Sequence, residues 1–236
     1  MNTYDPSQFT ILVVEDHKFS RKALLNMLLQ TGYENILSAK NGNEAIEKIR
    51  QNNIDLVITD INMPLCNGLE LIKHIRENTD HKTQVTSIIA VTTLSDTDTI
   101  ASCMTLEVDA FLVKPITVQN TQDQIKSAMT EPKRLYQQHL YCDVKTDVQL
   151  PTGKKTDKQG EPRIREVSSH VIHISSLADL QDGMVILDNI VATTGGCLLK
   201  AGTRLNKKLL RRLNELSSII DVHPFYARMD ETQLAS

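Results

Sequence analysis

Short runs of apolar, β-branched residues alternate with longer stretches of mixed polarity from residue 9 to about residue 129. Residues 9–14, 54–59, 85–91 and 110–113 are apolar on both faces, as parallel strands are when helices cover each side. Residues 35–39 form a fifth, weaker run that suits a strand at the sheet edge. Between these runs, Leu24, Leu25 and Leu28, then Ala45, Ile46 and Ile49, then Leu69, Ile72 and Ile75 recur at helical spacing. Gly32 stands where the first of these helices would stop. A fourth and a fifth helix are predicted over about residues 96–106 and 117–129. Five βα units in about 120 residues predict an α/β fold, a five-stranded doubly wound parallel sheet. In such sheets the ligand site forms at the carboxyl ends of the strands.

Beyond residue 130 the pattern changes. Pro132, Pro151, Gly153, Gly160 and Pro162 punctuate a polar stretch with no sustained period, which reads as a connecting segment over 131–169 with an exposed loop at 150–162. Residues 170–236 read as a second, smaller β-rich α+β domain. Its predicted strands are 171–174, 184–191, 197–199 and 219–222, with a hairpin turn at Gly195-Gly196 and one helix at 206–216. The predicted division is therefore 1–130, 131–169 and 170–236. Along the helix, Leu205, Leu209, Leu213 and Leu216 line one side, and Lys207, Lys208, Arg211 and Arg212 the other. That pattern predicts a solvated basic face over a core-packing one. A lone helix without a turn-linked companion argues against DNA binding of the helix-turn-helix kind. His170 and His173 fall on opposite faces of the first of these strands, which argues against a metal pair.

Composition sharpens this division. The chain of 236 residues carries a net charge of −3 and is 40% hydrophobic. Residues 1–130 sum to about −5 and residues 131–236 to about +2, so the two parts face different partners. Cys66, Cys103, Cys142 and Cys197 are far apart and form no CxxC pair. With no secretory pattern at the start and no apolar run near the ~18–20 residues of a membrane helix, a cytoplasmic protein with reduced thiols is expected.

The residues that follow the strands carry the chemistry. Glu15 and Asp16 follow the first; Asp60, then Asn62 and Met63-Pro64, follow the third; Thr92 follows the fourth, and Lys114 before Pro115 the fifth. Three carboxylates on one rim repel one another unless a cation neutralises them, and oxygen ligands suit a hard divalent ion such as Mg²⁺. The set reads as phosphoryl-transfer machinery. Asp60 is the nucleophile, Lys114 and Mg²⁺ neutralise charge on the phosphoryl oxygens, and the Thr92 hydroxyl donates to the group once it arrives.

Four stretches taken together, Val13-Val14-Glu15-Asp16, Ile58 to Pro64 with Gly68, Ala90-Val91-Thr92 and Phe111 to Pro115, resemble the receiver domain of two-component response regulators over residues 9–130. The resemblance implies a flavodoxin-like receiver and phosphorylation of Asp60 by a sensor histidine kinase or a histidine phosphotransfer protein. It also implies Mg²⁺ held by Glu15, Asp16, Asp60 and the carbonyl of Asn62, phosphate bound by Lys114, and a switch pair of Thr92 and Phe111. Homodimerisation through the face of the fourth helix and fifth strand is a common consequence in that family. Two departures stand out: Thr93 where alanine is common, and Glu107-Val108 where Gly-Ala often follows the fourth helix. Residues around Leu180 to Leu205 are similar to a small module found beside receiver domains and beside phosphodiesterase domains of the HD-GYP kind. No catalytic output motif is present, so the expected role is a response regulator acting through phosphorylation-dependent binding of a downstream protein, not an enzyme. Two alternatives are a DNA-binding regulator using the basic helix 206–216 and a phosphate-shuttling receiver within a relay.

Overall fold

The computed structural model describes residues 5–93, 97–131, 133–147, 171–221 and 224–229. Five parallel strands form the main sheet: β1 (Thr10–Val14), β2 (Asn35–Ala39), β3 (Leu56–Asp60), β4 (Ser87–Thr92) and β5 (Ala110–Val113), in the order β2-β1-β3-β4-β5. The double-faced apolar runs explain both helix layers. On one side Ile11, Val13, Leu56, Ile58, Ile89 and Val91 meet Leu24 and Leu28 of α1 (Lys18–Gln30) and Ile125 of α6 (Val118–Thr130). On the other, Leu12, Val14, Val57, Ile88 and Ala90 meet α2 (Gly42–Gln51), α3 (Gly68–Arg76) and α5 (Thr97–Thr105). The weak run at 35–39 is the edge strand, as its composition predicts. Gly32, at φ 91°, ends α1 in the left-handed region that glycine enters without steric cost. A short helix absent from the pattern, α4 (His81–Gln84), is nucleated by Asp80, whose carboxylate accepts from the Thr83 N–H.

The C-terminal elements are β6 (Val171–Ile174), β7 (Met184–Ile186), β8 (Ile190–Val191), β9 (Cys197–Leu199), α7 (Lys207–Glu215) and β10 (Phe225–Met229). They make a three-stranded antiparallel sheet, β6-β10-β7, and a β8-β9 hairpin turned by Gly195-Gly196. The run 184–191 divides into two strands, and Asp188 in the break accepts from the Tyr226 N–H. In place of a strand at 219–222, a 3-10 turn covers Ser217–Ile219 and Ile220 makes only an isolated bridge to Ala192; Val222 lies outside the described residues. The loop predicted at 150–162 and His170 also lie outside them.

One expectation is corrected. The basic side of α7 is not a solvated face: Lys208 and Arg212 turn onto the first sheet, and Arg212 is 1% exposed while Lys207 faces solvent. A single apolar cluster runs from Leu12 and Phe111 through Tyr141 into Ile174, Leu213 and Ala227, so both parts of the chain share a core. Among the described residues no helix is long and apolar enough to cross a membrane.

Candidate functional site

Parallel pairing brings the strand ends to one rim. Asp60 is in register with Val91, and Thr92 with Val113, so the carboxyl ends of β3, β4 and β5 finish side by side. The backbone N–H of Lys114 then donates to the Thr92 carbonyl at 3.0 Å, which fixes where the lysine leaves the strand. The Lys114-Pro115 peptide is cis. The Nζ of Lys114 donates to Asp60 Oδ2 at 2.9 Å and lies 3.6 Å from Glu15 Oε2. Asp60 is 7% exposed and its Oδ1 accepts from the Ile61 N–H at 2.9 Å. Arg21 pins the β1 turn by donating to the carbonyls of Glu15 at 2.5 Å and Asp16 at 3.1 Å.

Glu15, Asp16 and Asp60 each offer a carboxylate oxygen within 4.8 Å of the other two. Burial first, and then the neighbouring Asp60 charge, push the Glu15 carboxyl above the usual range, with Lys114 opposing. Burial works against the Lys114 charge, but its hydrogen bond to Asp60 and the charges of Asp60 and Glu15 outweigh it and raise its pKa. The cup therefore holds more negative charge than one lysine satisfies. With Asp16 open to solvent, its hard-oxygen donor set fits a small divalent cation such as Mg²⁺. Asn62, exposed, follows two residues after Asp60 at the start of the β3–α3 loop.

Thr92 and Phe111, expected from the resemblance to form a switch pair, are less directly disposed towards Asp60. Thr92 is buried, and its hydroxyl donates to the Thr93 carbonyl at 2.9 Å. Phe111 is 2% exposed on β5, in register with Ala90. The start of α3 explains Gly68. A Cβ there would collide with the Asp60 carbonyl oxygen and lie 2.7 Å from the Ile61 Cα, so only glycine lets the helix approach the loop. Asn67 and Glu70 close that helix end with a capping box. Gly42 fills the same role at α2, where an added Cβ would strike Cys66, a constraint that nothing in the spacing of residues announces.

A second charged cluster, below β5, escaped sequence reasoning. Arg76 is 1% exposed and donates to the carbonyls of Gln84, Thr86, Leu106 and Glu107 and to Asp109 Oδ2 at 3.0 Å. Asp109 Oδ1 pairs with Lys208. Burial pushes Asp109 up, but Lys208 and Arg76 outweigh it and hold the carboxyl down at about 2. The Gly-Ala position of the resemblance is occupied for a reason. Glu107, left-handed at φ 53°, is buried, and its carboxylate accepts from the N–H groups of Tyr136 and Gln137 at 3.0 Å and from Tyr141 Oη at 2.6 Å.

Residues 11–126 match the family model of the response regulator receiver domain. Chemotaxis protein CheY1 of Helicobacter pylori is 35% identical over 117 residues, 49% of this chain and 93% of that protein. The CAI-1 autoinducer sensor kinase/phosphatase CqsS of Vibrio cholerae is 38% identical over 105 residues, 44% of this chain and 15% of that protein. Among solved structures, chemotaxis response regulator CheY4 of Vibrio cholerae aligns at 26% identity with a TM-score of 0.47, covering 51% of this chain and 98% of its own.

Proposed function

Since this chain belongs to the response regulator receiver family, we propose that Asp60 accepts a phosphoryl group and that the chain signals through a phosphorylation-dependent protein contact. The observation that carries this reading is the Lys114 Nζ at 2.9 Å from Asp60 Oδ2, inside a cup whose three carboxylates converge within 4.8 Å. Receiver domains take phosphate from histidine kinases or phosphotransfer proteins. Here a carboxylate oxygen of Asp60 would attack phosphorus as the P–N bond of a phosphohistidine breaks and the imidazole leaves with its electron pair. Glu15, Asp16, Asp60 and the Asn62 carbonyl would hold Mg²⁺, which when bound neutralises charge on the transferring group. Lys114 moves from Asp60 to the phosphoryl oxygens, and Thr92 turns its hydroxyl from the Thr93 carbonyl towards them. Phe111, on the neighbouring strand, completes the switch pair in this reading.

The chain is in this view a phosphoryl acceptor of the cytoplasm and not an enzyme on a separate substrate. The C-terminal elements, which we group with the small module found beside receiver and HD-GYP domains, serve as the output or interaction part. Pairing of Lys208 and Arg211 with receiver carboxylates disfavours the DNA-binding alternative, because the basic helix faces inward. A homodimer through α5 and β5 would compete with α7 and β9 for that face. A relay role stands beside this reading because the match to CqsS falls in a sensor kinase. The test is incubation with Mg²⁺ and a small phosphodonor: wild type acquires an acid-stable, base-labile label and Asp60→Asn acquires none. Equal labelling of both would sink the assignment.

A further inference from the structure

A cavity of about 400 Å³ opens between the last turns of α2 and α3 and the short helix α4. Ile54 and Thr86, in its lining, stand just ahead of β3 and β4. The cavity therefore lies at the amino ends of these strands, away from the acidic cup and from the usual ligand position of an open sheet. Its size falls within the range of small-molecule sites, about 300–1,000 Å³. Ile46, Ile49 and the buried Ile54 give it an apolar floor. Arg50, His74 and Lys82, with the side-chain amides of Gln51, Asn53 and Asn78, give it a polar rim.

Hydrogen bonds hold the α4 wall in place. Arg76 donates to the Gln84 carbonyl at 2.7 Å, and Gln84 Nε2 returns a bond to the Arg76 carbonyl at 2.9 Å. The Thr86 hydroxyl lies 3.4 Å from the Ile54 carbonyl and 3.3 Å from that of Lys82, which ties the floor to the wall. Asp80 is the one carboxylate among the described lining residues, and it is turned to its own helix. Its Oδ2 accepts from the Thr83 N–H at 2.9 Å and from the Thr83 hydroxyl at 2.7 Å. Asn78 Oδ1 accepts from the Asp80 N–H at 2.9 Å, so the Asn78 amide nitrogen keeps its donors for a ligand.

The cations stand apart from the ion pairs on the same helices. Lys48 pairs with Glu44 at 3.0 Å on α2, and Lys73 with Glu77 at 4.0 Å on α3. Arg50 and His74 line the cavity instead, and among the described residues neither side chain has a hydrogen bond or an ion pair. Lys82 likewise has no carboxylate in ion-pair range among them. The carbonyl ends of α2 and α3 favour positive charge here and hold it ready before any ligand arrives. This is a cationic spot on a part of the chain that sums to about −5.

We propose that this cavity binds a nucleoside monophosphate. Arg50, Lys82 and His74 take the phosphate, for which a guanidinium offers paired donors. The base lies over Ile46 and Ile49, and the rim amides present the donor and acceptor pairs that a base edge matches. A bare anion would leave the isoleucines wet, and an uncharged ligand would leave the cations unanswered. The two surfaces together select an organic phosphate, and the assignment does not depend on Asp60.

Titration calorimetry of the full chain at one ionic strength tests this, with AMP, GMP, glucose 6-phosphate and inorganic phosphate as probes. At least one nucleotide should saturate a single site and bind about tenfold or more tighter than inorganic phosphate, because only the nucleotide covers the apolar floor. Arg50→Gln and Lys82→Gln, both at exposed positions, should each weaken that binding about fivefold or more. Lys22→Gln, which removes an exposed cation of α1, should leave it unchanged. Backbone amide shifts on binding should cluster at 46–54 and 74–86. No saturable binding of either nucleotide would overturn the site. Equal affinity for inorganic phosphate would mark an adventitious ion only, and an equal loss in Lys22→Gln would mark unspecific charge attraction; either overturns the proposal. Glucose 6-phosphate binding as tightly as the nucleotides would overturn the assignment of the base.

Discussion

Two regions of this molecule gather carboxylates around a lysine and put them to opposite uses. In the cup at the strand ends, Glu15, Asp16 and Asp60 outnumber Lys114, and Asp16 lies open to solvent. In the patch below β5, Arg76, Lys208 and Arg212 outnumber Glu107 and Asp109, and all but Lys208 are nearly sealed from water. Surplus negative charge with an open rim suits a cation, and in the function proposed above that cation offsets the charge of an arriving phosphoryl group. Charges closed from solvent draw in nothing and instead fix neighbouring segments of chain. Access to water, more than residue type, separates reactive from structural ionic clusters.

Breaking the patch should have the largest effect. Arg76→Met removes five hydrogen bonds and one of the two ion pairs of the buried Asp109, so stability measured by urea unfolding should fall by about 3–5 kcal/mol. Breaking the cup should do the reverse. Lys114→Ala should slow labelling of Asp60 by on the order of 10²–10³ while shifting the unfolding midpoint little, since the lysine is 36% exposed. A variant that lost stability in place of labelling rate would erase the distinction between the two regions.

A gentler probe uses pH. Metal binding requires an ionised Glu15, and its raised pKa means that protonation begins above the usual carboxylate range. Mg²⁺ affinity should therefore weaken on acidification at a higher pH than an unperturbed glutamate would give, by less than about tenfold per pH unit. Glu15→Gln should bind more weakly and flatten that dependence. In the patch the sign runs the other way. Asp109, held down at about 2, contributes stability above the usual carboxylate range that is lost only as pH falls towards 2. Asp109→Asn should remove this acid-limb slope from the unfolding free energy.

The cup was legible in the sequence because each of its members directly follows a β-branched run, and strand ends of a parallel sheet converge by construction. The patch was not. Arg76 lies 31 and 33 residues before Glu107 and Asp109, Lys208 lies 99 residues after Asp109, and Lys208 and Arg212 sit on a helix whose period suits a solvated face equally well. Glu107 showed as a departure from Gly-Ala, but its purpose depends on the N–H groups of Tyr136 and Gln137, in a stretch with no readable period. The three-stranded sheet was partly hidden for a related reason. β10 is five residues long, follows Pro224, and buries only Phe225 and Ala227 well.

The apolar cluster that runs from Leu12 to Ala227 bears on any attempt to build hybrids. Many signalling proteins can be recombined by cutting between input and output and joining halves from different parents. Here a cut near residue 131 would sever a common interior. A foreign tail would have to reproduce the fit of Leu205, Leu209 and Leu213 as well as the ion pairs above it, and grafts that ignore that fit should yield chimeras that aggregate before they misroute a signal.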